Sequence, residues 1–271
     1  MIRLYYQNAE NNFGDILSKE IVSYFAKSEV EWSPLKRADL VALGSLGERV
    51  ALKKFKRYCL SLGRPLNIWG MGFLQPGSRI SSNFLKIHAL RGMHSKERFG
   101  IRSPLPLGDP GLLVPLIYDF KRESTNQILC LGHLHDTQAN KWIDHIREIN
   151  PDKKIVHLCL SNDVKKVVYE IARSEAVVSS AMHPLIVAQS YEVPFMWVNC
   201  GENLHAGNRY KFEDYFSVFN MTPESVDVNF IFQKKLTNAH FYKVIEESIV
   251  SSVKIHTVQQ DLIDSFPREA L

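Results

Sequence analysis

Three basic side chains stand where chemistry on an anion could be done: Arg91 in ALRGMHSKE, His133 in ILCLGHLHDT and His183 in SSAMHPLIVAQS. Each closes an apolar run and precedes residues at helical spacing, so each sits where a strand hands over to a helix. The first amides of a helix have no internal partner and attract negative charge. In the third motif Pro184 fits a first helical turn, because its missing N–H would be unbonded there anyway. Ser179 and Ser180 can cap that helix or hold an anion. An imidazole over those amides stays neutral unless an anion lies beside it, a useful setting for a group that titrates near neutrality. A guanidinium at a strand end can grip a carboxylate or phosphate with two parallel bonds; a structural ion pair is the competing reading of Arg91. His133 or His135 points into the same space if strand alternation persists, and Asp136 closes their motif.

Glycine-bearing turns supply further anion seats. NNFGD sets Asn12, Gly14 and Asp15 before a helix, GSLG sets Gly44 and Ser45 before another, and WGMGF sets Gly70 and Gly72 after a strand. Each turn is weak on its own, since glycines after strands also serve plain tight turns and caps. His94 reads as a surface residue.

These groups need elements to hold them. Apolar strands alternate with helical patterns: IRLYY, a helix over residues 16–26, ADLVALG, a helix over 50–61, LNIWG, LKIHALRG and a short helix over 94–99. A stretch with three prolines and two glycines, LPLGDPGLLVPLIYDFKRESTN, reads as a hinge. The alternation then resumes with QILCLGH, a helix over 137–148, KKIVHLCL, a helix over 163–173, EAVVSS, a helix over 182–191 and PFMWVN, followed by helices over 212–219 and 239–253. No internal repeat is visible. The pattern predicts an α/β protein with two Rossmann-like parallel-sheet domains facing a cleft, residues 1–120 and 121–271. Ligands in such sheets bind outside the carboxyl ends of the strands.

Composition narrows the classes. With 45% hydrophobic and 23% charged residues in a 271-residue chain, two packed cores are affordable, and disorder is excluded. The net charge of +4 and the lack of a long Lys/Arg block argue against a nucleic-acid partner. The densest basic run, Lys53, Lys54, Lys56 and Arg57, shares a helix with Phe55 and Tyr58, and reads either as a solvated face or as a dock for an anionic membrane or phosphates. Cys59, Cys130, Cys159 and Cys200 form no CxxC pair, so free thiols and a reducing compartment are expected, and no zinc site. MIRLYY opens without a basic and apolar leader, and no apolar run approaches the ~20 residues that span a bilayer. The expectation is a cytoplasmic protein, with peripheral contact at the inner face of the membrane left open.

The ordered set NFGD, GSLG, WGMGF, LRG, LGDPGLLVP, GHLHD, SSAMHPLIVAQ and YKFEDYF resembles the polysaccharide pyruvyltransferase family, over roughly residues 1–220. The resemblance implies a glycosyltransferase-B-like pair of domains, the first on the acceptor side and the second on the donor side. It also implies pyruvyl transfer from phosphoenolpyruvate to two hydroxyls of one sugar in an exopolysaccharide or capsule, giving a pyruvate ketal and phosphate. The acceptor would be a sugar, free or lipid-linked, and no cofactor or metal is implied. Residue by residue, Arg91 matches a donor-binding arginine and His183 the histidine that contacts the donor as general acid. His133 and Asp136 match a His-x-x-Asp element, and Lys211 and Asp214 a Lys-x-x-Asp-Tyr element in which Lys211 meets phosphate and Asp214 is structural. One departure stands out: some relatives carry an arginine where this chain has Ala181, so Lys211, Arg209 or Arg102 would have to replace it.

An acid of near-neutral pKa is needed to protonate the methylene carbon of such a donor, and His183 fits that need. Three other functions remain open at this stage. They are a sugar-nucleotide glycosyltransferase, for which Glu202 is the convenient ribose ligand, an inactive homologue serving as a binding module in polysaccharide assembly, and another phosphate-ester enzyme on the same fold.

Overall fold

The computed structural model describes residues 1–7, 13–123, 125–160, 163–201, 208–222 and 224–271. Two five-stranded sheets account for the strands among them. The first contains β1 (Ile2–Tyr5), β2 (Val30–Trp32), β3 (Leu40–Val41), β4 (Leu66–Trp69) and β5 (Leu85–Ala89), in the order β2-β1-β3-β4-β5. The second contains β6 (Gln127–Leu131), β7 (Lys154–His157), β8 (Ala176–Ser179), β9 (Phe195–Asn199) and β10 (Ser225–Asp227), in the order β10-β9-β8-β6-β7. Every pairing within them is parallel. Counted within its own half, each sheet has the order 2-1-3-4-5. The second half therefore repeats the topology of the first, although the sequence carries no visible repeat. In both sheets the order reverses beside the first strand, between β1 and β3 and between β6 and β8, and ligand crevices open at the carboxyl ends of such switch points.

The strands form because their residues are apolar on both faces, as a parallel sheet covered on both sides requires. LNIW of β4, QILCL of β6 and AVVS of β8 are buried along their whole length. The helices are α1 (Phe13–Ala26), α2 (Gly47–Leu60), α3 (Met93–Arg98), α4 (Ala139–Ile149), α5 (Val164–Ala172), α6 (Met182–Ser190), α7 (Asn208–Phe216), α8 (Val228–Phe232), α9 (Asn238–Glu247) and α10 (Ser252–Asp264). Most bury one stripe. In α6, however, every residue except His183 is buried, which marks an interior helix. It lies against β8, β9, α5 and a 3-10 helix at Pro110–Leu116.

That 3-10 helix revises the expected hinge. Leu112, Leu113 and Val114 are 0% exposed and belong to a core that also takes in Leu4 and Ile21 of the first half and Leu129, Leu185 and Trp197 of the second. Pro110 and Gly111 follow Asp109, which caps the 3-10 helix by accepting the Gly111 N–H at 2.9 Å. The proline and glycine thus start a buried turn. Two short strands, β2 and β10, carry too few residues for a period to be read, and the expected helix over 239–253 is two helices that part before the N-cap Ser251. α10 returns to the first sheet, where Trp69 Nε1 donates to the Leu262 carbonyl at 3.0 Å and Phe266 meets the Trp69 ring at 4.9 Å between centroids. Among the described residues no helix is long and apolar enough to cross a membrane.

Candidate functional site

The switch point of the second sheet is tied together by hydroxyls and a carboxylate. Ser179 Oγ donates to the Leu131 carbonyl (2.6 Å) and accepts the Ala181 N–H (3.0 Å). Ser180 Oγ donates to Asp136 Oδ2 (2.7 Å) and accepts the His133 N–H (2.9 Å). Asp136 also accepts from Trp142 Nε1 (2.9 Å) and the Gln138 N–H (3.1 Å). The serines therefore join the loop after β8 to the loop after β6, and neither caps α6. Ala181 is the N-cap residue, and among the described residues no side-chain cap bonds the first turn of the helix. An amide row of that kind is open to an anion.

His183 lies in that first turn. Its Nε2 is covered and has no hydrogen-bond partner among the described residues. Gly14, in the first turn of α1, presses on the other side of the ring: a Cβ at position 14 would stand 2.3 Å from Nδ1 and 2.4 Å from Cε1. The two switch points thus meet through a glycine and an imidazole. Burial, followed by the positive charges of Lys211, Arg91 and His133, holds the His183 imidazole down to about 3. The ring is neutral near pH 7 in this setting, so the near-neutral acid expected from the sequence requires an anion at its side.

Lys211, on α7, is 7% exposed. No acceptor bonds its ammonium among the described residues; Nζ stands 5.4 Å from the Phe212 ring. Burial, and after it the charge of Arg91, brings the ammonium down to about 8. Arg209 pairs with Glu213 at 2.6 Å on the outside of the same helix, and Arg102 is exposed. Of the three cations considered as substitutes at the Ala181 position, Lys211 is the one whose charge acts on His183.

Arg91 is 0% exposed and held by protein groups. Its Nε donates to Asp214 Oδ2 (3.0 Å), Nη1 to Ser45 Oγ (2.7 Å) and Nη2 to the Phe73 carbonyl. Asp214, on α7, also accepts the Ser95 N–H (2.9 Å) and hydroxyl (2.6 Å). This is the structural ion pair of the competing reading, and it joins the exit of β5 to α7. Glycines make it possible: a Cβ at Gly72 would lie 2.4 Å from Arg91 Cζ, and one at Gly92 would lie 1.6 Å from the Asp214 carbonyl oxygen. Gly70, at φ +86°, receives Pro110, whose Cδ would be 2.2 Å from a Cβ there. The Gly44 carbonyl accepts the Gly72 N–H at 3.0 Å. These glycine turns seat Arg91 and Pro110.

Asp15, beside Gly14, uses Oδ1 to accept the Gln7 N–H at 3.0 Å, while Oδ2 is covered and has no partner among the described residues. Burial pushes the carboxyl up to about 7, against the downward pull of that amide and of Arg49. Asp109 was not singled out from the sequence. It is fully buried, its Oδ2 has no partner among the described residues, and burial pushes it up to about 6. The signal for it was an aspartate directly before Pro-Gly, an N-cap pattern. His94, expected at the surface, stacks on Tyr210 of α7 at 5.2 Å. Asn12 and Glu202 lie outside the described residues. Among the described residues no cluster of three His, Cys, Asp or Glu side chains could hold a metal ion.

Fold and site together define a Rossmann-like, glycosyltransferase-B-like α/β protein with a cationic centre where its two halves touch. Residues 5–202 match the polysaccharide pyruvyl transferase family, and the chain belongs to that family. Over 241 residues it is 22% identical to the succinoglycan biosynthesis protein ExoV of Rhizobium meliloti (strain 1021), covering 88% of this chain and 72% of ExoV. Over 161 residues it is 27% identical to an uncharacterized protein of Acanthamoeba polyphaga mimivirus, covering 57% of this chain and 55% of that protein, about half its length. No solved structure matches the chain.

Proposed function

We propose that this protein transfers a pyruvyl group from phosphoenolpyruvate to two hydroxyls of one sugar in a bacterial surface polysaccharide or its lipid-linked precursor, forming a pyruvate ketal and releasing phosphate. The observation that carries this reading is His183, whose buried Nε2 has no partner among the described residues, at a helix start whose N-cap, Ala181, offers no side-chain bond, under the charges of Lys211 and Arg91.

The carboxylate and phosphate of the donor suit the α6 amides and the unengaged ammonium of Lys211. Their negative charge offsets the field that keeps His183 neutral, so Nε2 takes up a proton as the donor binds. His183 gives that proton to the methylene carbon, and the electron pair of the double bond forms the new C–H bond. The cation left on the central carbon is stabilised by its ester oxygen and by dipoles already in place. One sugar hydroxyl adds to that carbon, the C–O bond to phosphate breaks, and the second hydroxyl closes the ketal. Of the two hydroxyl protons, one replaces the proton given up by His183 and the other leaves with phosphate. Asp15, with its unbonded Oδ2, receives a hydroxyl proton in transit. Arg91 acts by charge and by holding α7, and His133 and Asp136 by fixing the loop beside His183. The scheme uses side chains and the α6 backbone amides, and the reaction belongs in the cytoplasm, at the inner face of the membrane when the acceptor is lipid-linked.

The test is calorimetric titration with phosphoenolpyruvate, followed by phosphate release with β-galactosides, glucosides and N-acetylmannosamine glycosides, free and lipid-linked. Donor binding with acceptor-dependent phosphate release is expected. Failure to bind the donor would overturn the reading in favour of nucleotide-sugar transfer or a non-catalytic module.

A further inference from the structure

The charge of this chain is segregated. Residues 49–96 contain ten Lys and Arg and not one Asp or Glu, although the whole chain carries only +4. The remainder is therefore net acidic. All of α2 after its first two residues, Gly47 and Glu48, falls inside this basic stretch with the turn that follows, and their outer face is apolar as well as basic. Leu52 is 84% exposed, Phe55 62%, Leu60 57% and Leu62 92%. Leu52, Phe55 and exposed Cys59 are spaced by three and four residues, so they form one stripe along the helix, and Leu62 follows just beyond its C-cap. Phe55 leans on Phe84 (5.4 Å between centroids), and Tyr58 backs Phe84 from beneath (4.7 Å).

The cations that flank the stripe are Lys53, Lys56 and Arg64 on the helix and its turn, with Lys86 on β5, all exposed. Arg57 takes no part: it is 2% exposed and donates to the Ala38 carbonyl. Lys54 donates to the Ser81 carbonyl. The carboxylate at the helix start, Glu48, is turned away to Arg98 (3.0 Å) and to the Leu74 N–H. Leu62 sits at φ +55°, the left-handed conformation in which the chain also leaves α1 at Lys27 and α8 at Lys234, and it holds a leucine side chain 92% exposed there.

We propose that this face of α2 docks onto an anionic lipid bilayer, with Leu52, Phe55, Leu60 and Leu62 entering the headgroup boundary and Lys53, Lys56, Arg64 and Lys86 meeting lipid phosphates. A basic helix face with leucine and phenylalanine on its crest is built for that interface. A second copy of the chain fits poorly, because a face-to-face dimer would bring two sets of these cations together. Nucleic acid would use the cations and leave the leucines in water. The inference stands on the surface of α2 and does not depend on the transfer chemistry.

The test is co-sedimentation of the full chain with vesicles of equal parts phosphatidylglycerol and phosphatidylcholine, against vesicles of phosphatidylcholine alone. Binding to the anionic vesicles is expected, weakened roughly twenty-five-fold in Lys53→Gln/Lys56→Gln, at about fivefold per cation. Phe55→Ser and Leu62→Asn should each lower it about tenfold or more. Leu62→Asn relieves the backbone, so its melting temperature should hold or rise while binding falls, which separates lost docking from misfolding. The proposal is overturned if the chain ignores anionic vesicles, if these variants bind as the parent does, or if size-exclusion chromatography shows a dimer that the same variants dissociate.

Discussion

Gly14 of α1 and His183 of α6 are in direct contact, so closely that a methyl group on Gly14 would stand 2.3 Å from the imidazole Nδ1. The contact joins the carboxyl ends of the two sheets at the residue on which the proposed chemistry rests. Gly14→Ala must push the ring out of its seat or separate the halves. A loss of about 1–3 kcal/mol in stability, as for overpacking elsewhere, is expected. Catalytic turnover should fall further than stability accounts for, because the acid is displaced. Urea unfolding and acceptor-dependent phosphate release from the same preparation measure both.

Lys211 provides a second test. Replacing it by Met keeps the volume beside Phe212 and removes the charge. A charge-assisted bond to the donor phosphate is worth about 1.5–3 kcal/mol, so phosphoenolpyruvate affinity should drop roughly tenfold to a hundredfold. The same change removes a cation that depresses His183, so the imidazole value must rise from about 3. NMR titration of the ring reads that rise, and a value unchanged in Lys211→Met would remove Lys211 from the site.

Much of this was legible before any coordinates. His183 was marked by an apolar strand, a following proline and helical spacing, all local signals. The contact with Gly14 was not, because a close approach between residues 169 positions apart leaves no local pattern. The same holds for Arg91 and Asp214, separated by 123 positions. Pro110 and Gly111 misdirected the reading, since turn residues usually mark solvent-exposed linkers. Leu112, Leu113 and Val114 directly after them were the stronger signal of burial. For the serines after β8 the local sequence allows capping or anion binding. Their actual acceptors, the Leu131 carbonyl for Ser179 and the Asp136 carboxylate for Ser180, come from β6 and the loop after it, more than 40 positions away.

The Arg91–Asp214 pair is buried on both sides. Removing one partner strands the other charge in the interior, so Asp214→Ala should cost about 3–5 kcal/mol. Arg91→Met combined with Asp214→Leu should cost much less than either single change, since it leaves no orphan charge. Denaturant midpoints of the three variants check this. A double variant as unstable as the sum of the singles would contradict it.

The acid limb of stability has opposing parts. His183 lies at about 3 against 6.5 for a free imidazole, so between those values the unfolded chain binds a proton that the folded chain refuses. Stability from this group is full above about 6.5 and is lost as pH falls toward 3. Asp15 is raised from 3.8 to about 7, so its contribution is full at low pH and is lost as pH rises through that window. His183→Asn should therefore lose less stability than the parent on acidification below pH 6.5, and Asp15→Asn should gain on the parent as pH rises from 4 to 7. Urea midpoints across this range give both signs.

The central claim is that His183 protonates phosphoenolpyruvate while a sugar supplies both attacking hydroxyls. It is tested most directly by the mass of the sugar after incubation with donor and protein, compared between the parent chain and His183→Gln. The account predicts an acceptor heavier by pyruvic acid less one water, appearing in step with phosphate and lost in the variant even though donor still binds. An acceptor of unchanged mass across the panel, or an adduct formed equally well by His183→Gln, would contradict it.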